Sequence, residues 1–427
     1  MSSFLNAFDS TAPADRWRMT RDRLLGDDPL PFYAELRDHR PVLETPEVTL
    51  VTRFADCAEV LRRHDLFSVA LYKTKQGTYW MAQDDTAEHQ RQKSVMYAVL
   101  DREDVPGIRR EAAYLAASAL DAADGGPVDA IATLTRAVPV ELVRRRFGFA
   151  DAEPADMLEW SYWNQRDAFW NQPFDDAFVD DPTGVVARRE AANVEMRSFL
   201  IDLVQRRTVA LEAGRPVDDM ATRLLRLSNS GAVRFDPAAV MLNLGGLLIG
   251  TVETTSHAVV NALEFLSRDP DRLAAARAAA RAESDGALDA LIFEALRFRP
   301  AFRFFFRRCE RDTPLARGTD YERTIPSGKT VLAVTHAAMF DPAAFDGPDE
   351  FAPGRSPTNT FHFGLGLHEC LGRAIGAAMI PEIVRSGLLL EDWRPAAVER
   401  RPGTVPHNWS WTWETPASDR PVCKQPA

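Results

Sequence analysis

Cysteine is scarce: the 427 residues hold four, Cys57, Cys309, Cys370 and Cys423, and no Cys-x-x-Cys pair. That scarcity argues against a disulfide scaffold and against a zinc ribbon. The N-terminus, Met1-Ser2-Ser3-Phe4-Leu5-Asn6-Ala7-Phe8-Asp9, lacks the basic start and apolar run of a signal peptide. The longest nearly uncharged apolar stretch, Ala238 to Val252, has 15 residues, short of the roughly 20 of a membrane-spanning helix. An excess of basic charge is also missing. Lys plus Arg number 51 against 62 Asp plus Glu, a net charge of −11, so the clustered cations of a nucleic-acid binder are not to be expected. What is present is apolar: 45% hydrophobic residues with 24 Phe and 9 Trp, enough to build a sizeable core and too much for disorder. The expectation is a soluble, cytoplasmic chain that binds neither nucleic acid nor membrane.

The chain carries no internal repeat and no linker long or polar enough to separate domains, so a single domain over 1–427 is expected. The first 40 residues read as amphipathic helix broken at Pro29-Leu30-Pro31, and residues 41–54 have the β-branched alternation of short strands. Helical patterning then dominates from Ala55 to about Leu266. A second strand-rich patch spans Thr324–His336 with a turn at Pro326–Gly328, and loops and short strands come after Pro395. The fold class is therefore mainly α with small β-sheets.

One predicted helix stands apart. Asp236 and Pro237 are a good N-cap and first-turn pair, and Asp269-Pro270 stops the run about 30 residues on. Its middle is apolar on nearly every face, so it should be buried. Glu253, Thr254, Thr255 and His257 sit in that setting, and a buried carboxylate is costly without a partner. Two readings are open. Either the threonines bond back to the preceding turn and Glu253 meets a buried arginine, or Glu253 and Thr254 form a proton-handling pair in a cavity wall.

Cys370 lies in Phe361-His362-Phe363-Gly364-Leu365-Gly366-Leu367-His368-Glu369-Cys370-Leu371-Gly372-Arg373, just before a predicted helix. Glycines let a backbone turn tightly and lie close to something flat or bulky. Amides at a helix N-terminus favour a thiolate, and such a thiolate is a strong single ligand for iron. Zinc held by His362, His368 and Cys370 lacks an evident fourth ligand. A cysteine nucleophile with a histidine base matches no local signature. A plain buried cysteine leaves the glycines unexplained.

The segment Phe363-x-x-Gly366-x-x-x-Cys370-x-Gly372 resembles the haem-binding signature of the cytochrome P450 monooxygenases, here with Gly364 and His368 as well. Three further motifs resemble the family's in the expected order: Glu294-Ala-Leu-Arg297, Phe351-Ala-Pro353-Gly-Arg355, and Gly250-Thr-Val-Glu253-Thr254-Thr255. With His89 and Lys93, which resemble the family's His-x-x-x-Arg helix, the matches run from about residue 85 to 372, so the resemblance covers essentially the whole chain.

The resemblance implies the P450 fold, with haem b between the long central helix and the cysteine loop and its helix, and Cys370 as the thiolate ligand of the iron. Phe363 would pack on that loop, and Gly366 and Gly372 would keep its backbone close to the porphyrin. The anionic propionates would meet His89, Lys93, Arg307 and His368. Lys93 stands where the family has arginine, which keeps the charge and loses the bidentate fork; Arg308 adjoins Arg307, so that role could fall on either. Glu294, Arg297 and Arg355 would form a structural ion-pair network. Glu253 and Thr254 would be the acid–alcohol pair that supplies protons during oxygen activation; Thr251 departs from the small residue usual at its position. By the same resemblance Trp80, Leu247, Gly250, Phe304 and Trp409 would line the substrate cavity, and their aromatic character points to a small apolar or aromatic substrate.

The stretch after Cys370 is too short for a fused flavin domain and brings no cysteine set for a cluster. Electrons are therefore expected from a separate ferredoxin or flavodoxin with its reductase, docking on a basic patch that includes Arg91, Arg109, Arg110 and Arg373 of a monomeric enzyme. The expected activity is insertion of one oxygen atom from O2 into an organic substrate. The alternatives are a peroxide-using or rearranging haem-thiolate enzyme, which tends to lack the acid–alcohol pair, and a haem-binding gas sensor without turnover.

Overall fold

The structure is a computed structural model that describes residues 3–84, 86–100, 102–175, 177–231, 235–356 and 359–414. Cys423 lies outside them. The chain divides into two compact units, the first made of Met1–Thr86, Gln172–Asp176 and Glu294–Cys370, the second of Ala87–Asn171, Ala177–Phe293 and Leu371–Ala427.

The first unit holds a five-stranded sheet. Its strand order is Val42–Glu44, Val48–Val51, Thr330–Ala333, Phe305–Cys309 and Phe67–Ser68. The first two strands form an antiparallel hairpin, Val48–Val51 runs parallel to Thr330–Ala333, and the remaining pairs are antiparallel. The β-branched run of residues 41–54 thus pairs with the strand patch near residue 330. Under the sheet lies a core of Val51, Cys57, Leu61, Phe67, Cys309, Val331, Phe340 and Phe361. Two of the four cysteines are accounted for here. Burial pushes both the Cys57 and Cys309 thiols up. Their sulfurs face backbone carbonyls, Val51 O for Cys57 and Arg311 O for Cys309, as buried hydrophobic cysteines do.

The second unit is built round the helix Pro237–Ser267, capped where the Asp236 carboxylate accepts from Ala239 N–H at 2.8 Å. The helices Pro154–Gln165, Ala137–Phe147, Pro182–Glu212 and Arg373–Leu388 pack against it. Among the described residues this is the one helix long and apolar enough to cross a membrane, and its 31 residues match the span set by Asp236-Pro237 and Asp269-Pro270. Its buried polar side chains Asn243, Glu253, Ser256 and His257 mark it instead as a core helix, since lipid offers such groups no partner. A three-stranded sheet of Val128–Asp129, Ser410–Glu414 and Glu391–Pro395 closes the C-terminal part. Trp393, Trp409 and Trp411 pack edge-on there, with centroids 4.9–6.1 Å apart.

Candidate active site

The cysteine loop belongs to the first unit. Gly364 and Gly366 hold φ of +73° and +80°, a region open to glycine and strained for other residues. A Cβ on Gly366 would stand 2.6 Å from Leu61 O, so the loop touches the preceding helix Phe54–Arg62 backbone to backbone. Cys370 N–H donates to Phe363 O at 2.8 Å, which closes the loop under an exposed thiol. Gly372 then caps the helix Arg373–Leu388. His362, His368 and Cys370 do not gather into a metal cluster: no group of three or more His, Cys, Asp or Glu suited to a metal exists among the described residues. His368 Nε2 lies 3.0 Å from Asp84 Oδ1.

Arg307 lies on the strand Phe305–Cys309, buried, while Arg308 is exposed. Its guanidinium donates to Phe306 O at 2.8 Å and forms no ion pair with a described residue. Burial pushes it below the ordinary arginine range, partly offset by Tyr72 and Asp84. A buried cation so placed calls for an anion. Trp80 and Phe304 are buried in the same unit.

Glu294, Arg297 and Arg355 meet in this unit. Arg297, fully buried, donates all five of its N–H groups: two to the Glu294 carboxylate at 2.8 and 3.0 Å, the others to Met339 O, Pro348 O and Glu350 O. Arg355 Nε reaches Glu294 Oε1 at 3.2 Å, and that oxygen also takes Ala352 N–H at 3.0 Å. The network joins a helix end to the loop that precedes the cysteine segment.

The central helix carries the second group of candidate residues. Thr251 Oγ1 donates to Leu247 O and Thr254 Oγ1 to Gly250 O, each at 2.6 Å; such back-bonds loosen a helix locally. Gln165 Nε2 also donates to the Ile249 carbonyl at 2.6 Å. Glu253 is buried, and its Oε2 accepts from Arg136 Nη2 at 2.8 Å, while Oε1 has no partner among the described residues. Burial pushes the Glu253 carboxyl up and Arg136 pulls it back. His257 Nε2 is 4.0 Å from the same carboxylate; burial drops its pKa to about 3, so it is neutral near pH 7 and a poor proton donor there. Arg136 and Gln165 had no signal in the sequence; both act across long separations from other helices.

His89 is buried and Lys93 half-buried, one turn apart on the helix Thr86–Val99. Leu247 is buried on the central helix and Gly250 exposed. Trp409 is held in the tryptophan cluster, 1% exposed, with Nε1 donating to Ala396 O at 2.9 Å; its environment is that of a sheet core. Arg109 is corrected as a docking cation: Asp289 takes two of its N–H groups and Glu382 a third, because this arginine faces the helices Gly286–Phe298 and Arg373–Leu388 instead of solvent.

Comparison with known proteins points the same way. The family model for cytochrome P450 matches residues 54–389, and the chain belongs to that family. It is 26% identical over 399 residues to cytochrome P450 monooxygenase PikC of Streptomyces venezuelae, covering 88% of this chain and 87% of that protein. It is 27% identical over 380 residues to cytochrome P450 CYP199A2 of Rhodopseudomonas palustris, covering 84% of each. The crystal structure of CalO2 superposes with a TM-score of 0.77 at 21% identity, over 93% of this chain and 98% of that one. CYP109E1 from Bacillus megaterium, solved with testosterone, gives 0.74 at 19% over 92% and 98%. The protein is a P450 oxidoreductase, a haem monooxygenase whose cofactor is haem b held through a cysteine thiolate. The residues present fit that group: an exposed thiol ends a glycine loop whose backbone leaves no room for a Cβ at Gly366, and Arg307 offers a buried cation that forms no ion pair among the described residues.

Proposed function

We propose that this chain inserts one oxygen atom from O2 into a small apolar or aromatic organic molecule, with Cys370 as the haem ligand. The exposed Cys370 thiol, at the end of a loop closed by its own amide on Phe363 O, carries the reading. Haem ligated by thiolate supplies oxygen activation and transfer of one oxygen atom.

Each remaining role falls to a residue whose chemistry suits it. Phe363, Gly366 and Gly372 shape the loop that presents the sulfur. Arg307, with His89, Lys93 and His368, supplies cationic or donor groups for carboxylates of the cofactor. Glu294, Arg297 and Arg355 hold the loop's approach and touch nothing that reacts. Glu253 takes up and releases protons at its carboxylate, held by Arg136 on Oε2, and Thr254 offers its hydroxyl oxygen while its proton is bonded to Gly250 O. Trp80, Leu247 and Phe304, apolar and buried, favour an apolar ligand with few polar handles; Gly250 leaves open room on its own helix.

Electrons come from a separate ferredoxin or flavodoxin with its reductase in this reading. Exposed Arg91, Arg110 and Arg373 are cations that suit an acidic donor. The enzyme is proposed to act as a cytoplasmic monomer. The test is a carbon monoxide difference spectrum of the reduced protein. Wild type should give the thiolate-type Soret shift and Cys370→Ala should not; a shift that survives the substitution refutes the ligand assignment.

A further inference from the structure

We propose that Asp84 is the positioning residue of the cysteine loop, tying it to the segment that begins at Val69. The inference rests on Cys370 being the haem ligand and adds a residue to which no motif assigns a role. One carboxylate makes both ties. Asp84 Oδ2 accepts from Val69 N–H at 2.9 Å, ahead of the helix Ala70–Gln76. Asp84 Oδ1 meets His368 Nε2 at 3.0 Å, two residues before Cys370. The His368 side chain is almost fully enclosed and that of Asp84 three-quarters so, which makes this contact firmer than an exposed pair.

Two further observations place the same segment against the cysteine. The phenol of Tyr79 is pushed up first by burial and then by the charge at Cys370, so Tyr79 lies within electrostatic reach of the sulfur. Asp84 is also one of the two groups that offset the effect of burial on Arg307. The carboxylate therefore stands among His368, Arg307 and Val69 N–H, groups drawn from three separate stretches of chain. Gly364 and Gly366 leave the cysteine loop with little stiffness of its own. An external tie at His368 supplies it, as outer carboxylates do for the ligands of metal sites. Chemically, Asp84 touches neither substrate nor iron and acts through His368.

The test uses the haem-loaded full chain. Asp84→Asn keeps an acceptor for Val69 N–H and removes the charge; Asp84→Glu keeps the charge; His368→Ala removes the partner. The readouts are the rate at which the reduced carbon monoxide complex loses its thiolate-type band, and the rate of haem transfer to excess apomyoglobin. Asp84→Asn and His368→Ala are each expected to speed both rates about tenfold, as loss of a charge-assisted hydrogen bond would. Asp84→Glu should restore at least part of the effect, and the Asp84→Asn, His368→Ala double variant should be no faster than His368→Ala alone. Rates for Asp84→Asn equal to wild type, or additive effects in the double variant, overturn the proposal. Failure of the ligand assignment would show separately, as a thiolate-type band that persists in Cys370→Ala.

Discussion

Arg136 Nη2 donates to Glu253 Oε2 across 2.8 Å, and the contact fastens the turn Ile131–Arg136 to the middle of the central helix. It makes Glu253 a carboxylate poised between two forces, burial that favours its neutral form and a guanidinium that favours its charge. Arg136→Gln removes the larger attraction, so the folded-state pKa climbs further above its unfolded value. The unfolded chain then releases this proton at lower pH than the folded one. The folded state is thus relatively favoured in acid, and it loses stability as pH rises from the unfolded value toward the folded one. Thermal unfolding of Arg136→Gln against wild type should show a small deficit near about pH 5 that widens by about pH 8, toward the roughly 3–5 kcal/mol of an orphaned buried charge. An equal deficit at both would mean that the Glu253 charge is not what the arginine supports.

The arginine at position 297 predicts a graded series. It is fully buried with five donors bound, whereas Arg355 keeps part of its side chain at the surface and bonds mostly loop carbonyls. Arg297→Met leaves Glu294 Oε2 and three carbonyls without their donor, with only Arg355 and Ala352 N–H still on Oε1, a loss of about 3–5 kcal/mol. Arg355→Met leaves Glu294 still paired with Arg297, and its loss should be well below that. Urea midpoints of the two variants measure the order; a larger loss for Arg355→Met would place the weight of the network elsewhere.

How much of this could be read in advance depends on the range of each interaction. The ends of the central helix were legible because Asp236-Pro237 and Asp269-Pro270 act within one turn, and the structure caps helices at both aspartates. The strand at 305–309 was harder. Its burial does not alternate, since Phe306 and Arg307 are both covered, so period-2 reasoning could not choose between Arg307 and Arg308; the pairing of Arg307 with Val331 and Arg308 with Thr330 across the sheet accompanies that choice. Partners outside the motifs were not legible by position: a buried arginine for Glu253 was one open reading, but nothing pointed to Arg136. Arg136 lies 117 residues from Glu253, Asp84 lies 284 from His368, and Asp289 lies 180 from Arg109. No local pattern marks a contact at such separations, and the same residue types on a sequence look like solvated charges.

Glycine positions in the candidate site should respond in opposite directions. Gly366→Ala places a methyl 2.6 Å from Leu61 O at a φ of +80°, where both strain and a backbone clash act. It is expected to lower the unfolding temperature and to weaken the thiolate-type carbon monoxide band. Gly250→Ala sits in regular helix with no atom within 4 Å of the new Cβ. There the expectation is a gain of about 0.5–1 kcal/mol from helix propensity. Calorimetry of both variants decides the matter; a stabilised Gly366→Ala would show that the loop can yield at Leu61.

Thr254 and Glu253 are separable by what each removes. Thr254→Ala deletes a hydroxyl whose proton is bonded to Gly250 O, so the helix keeps its backbone and only the hydroxyl oxygen is lost. Glu253→Gln keeps the shape and a hydrogen-bonding group toward Arg136 but cannot exchange a proton. Both variants should load haem and bind substrate as wild type does. Both should still consume reducing equivalents, with more recovered as hydrogen peroxide and less as product, because electrons still arrive while the two protons that each peroxide takes come from water by an undirected route. Glu253→Gln is expected to slow NAD(P)H consumption as well, by about 10²-fold or more if the carboxylate is the donor, and Thr254→Ala to change consumption little. Product and peroxide are measured against cofactor consumed in a reconstituted system with a surrogate ferredoxin and reductase. Full coupling in both variants would remove these residues from proton handling, and a peroxide-driven turnover that neither substitution affects would favour an enzyme that draws its oxygen from peroxide.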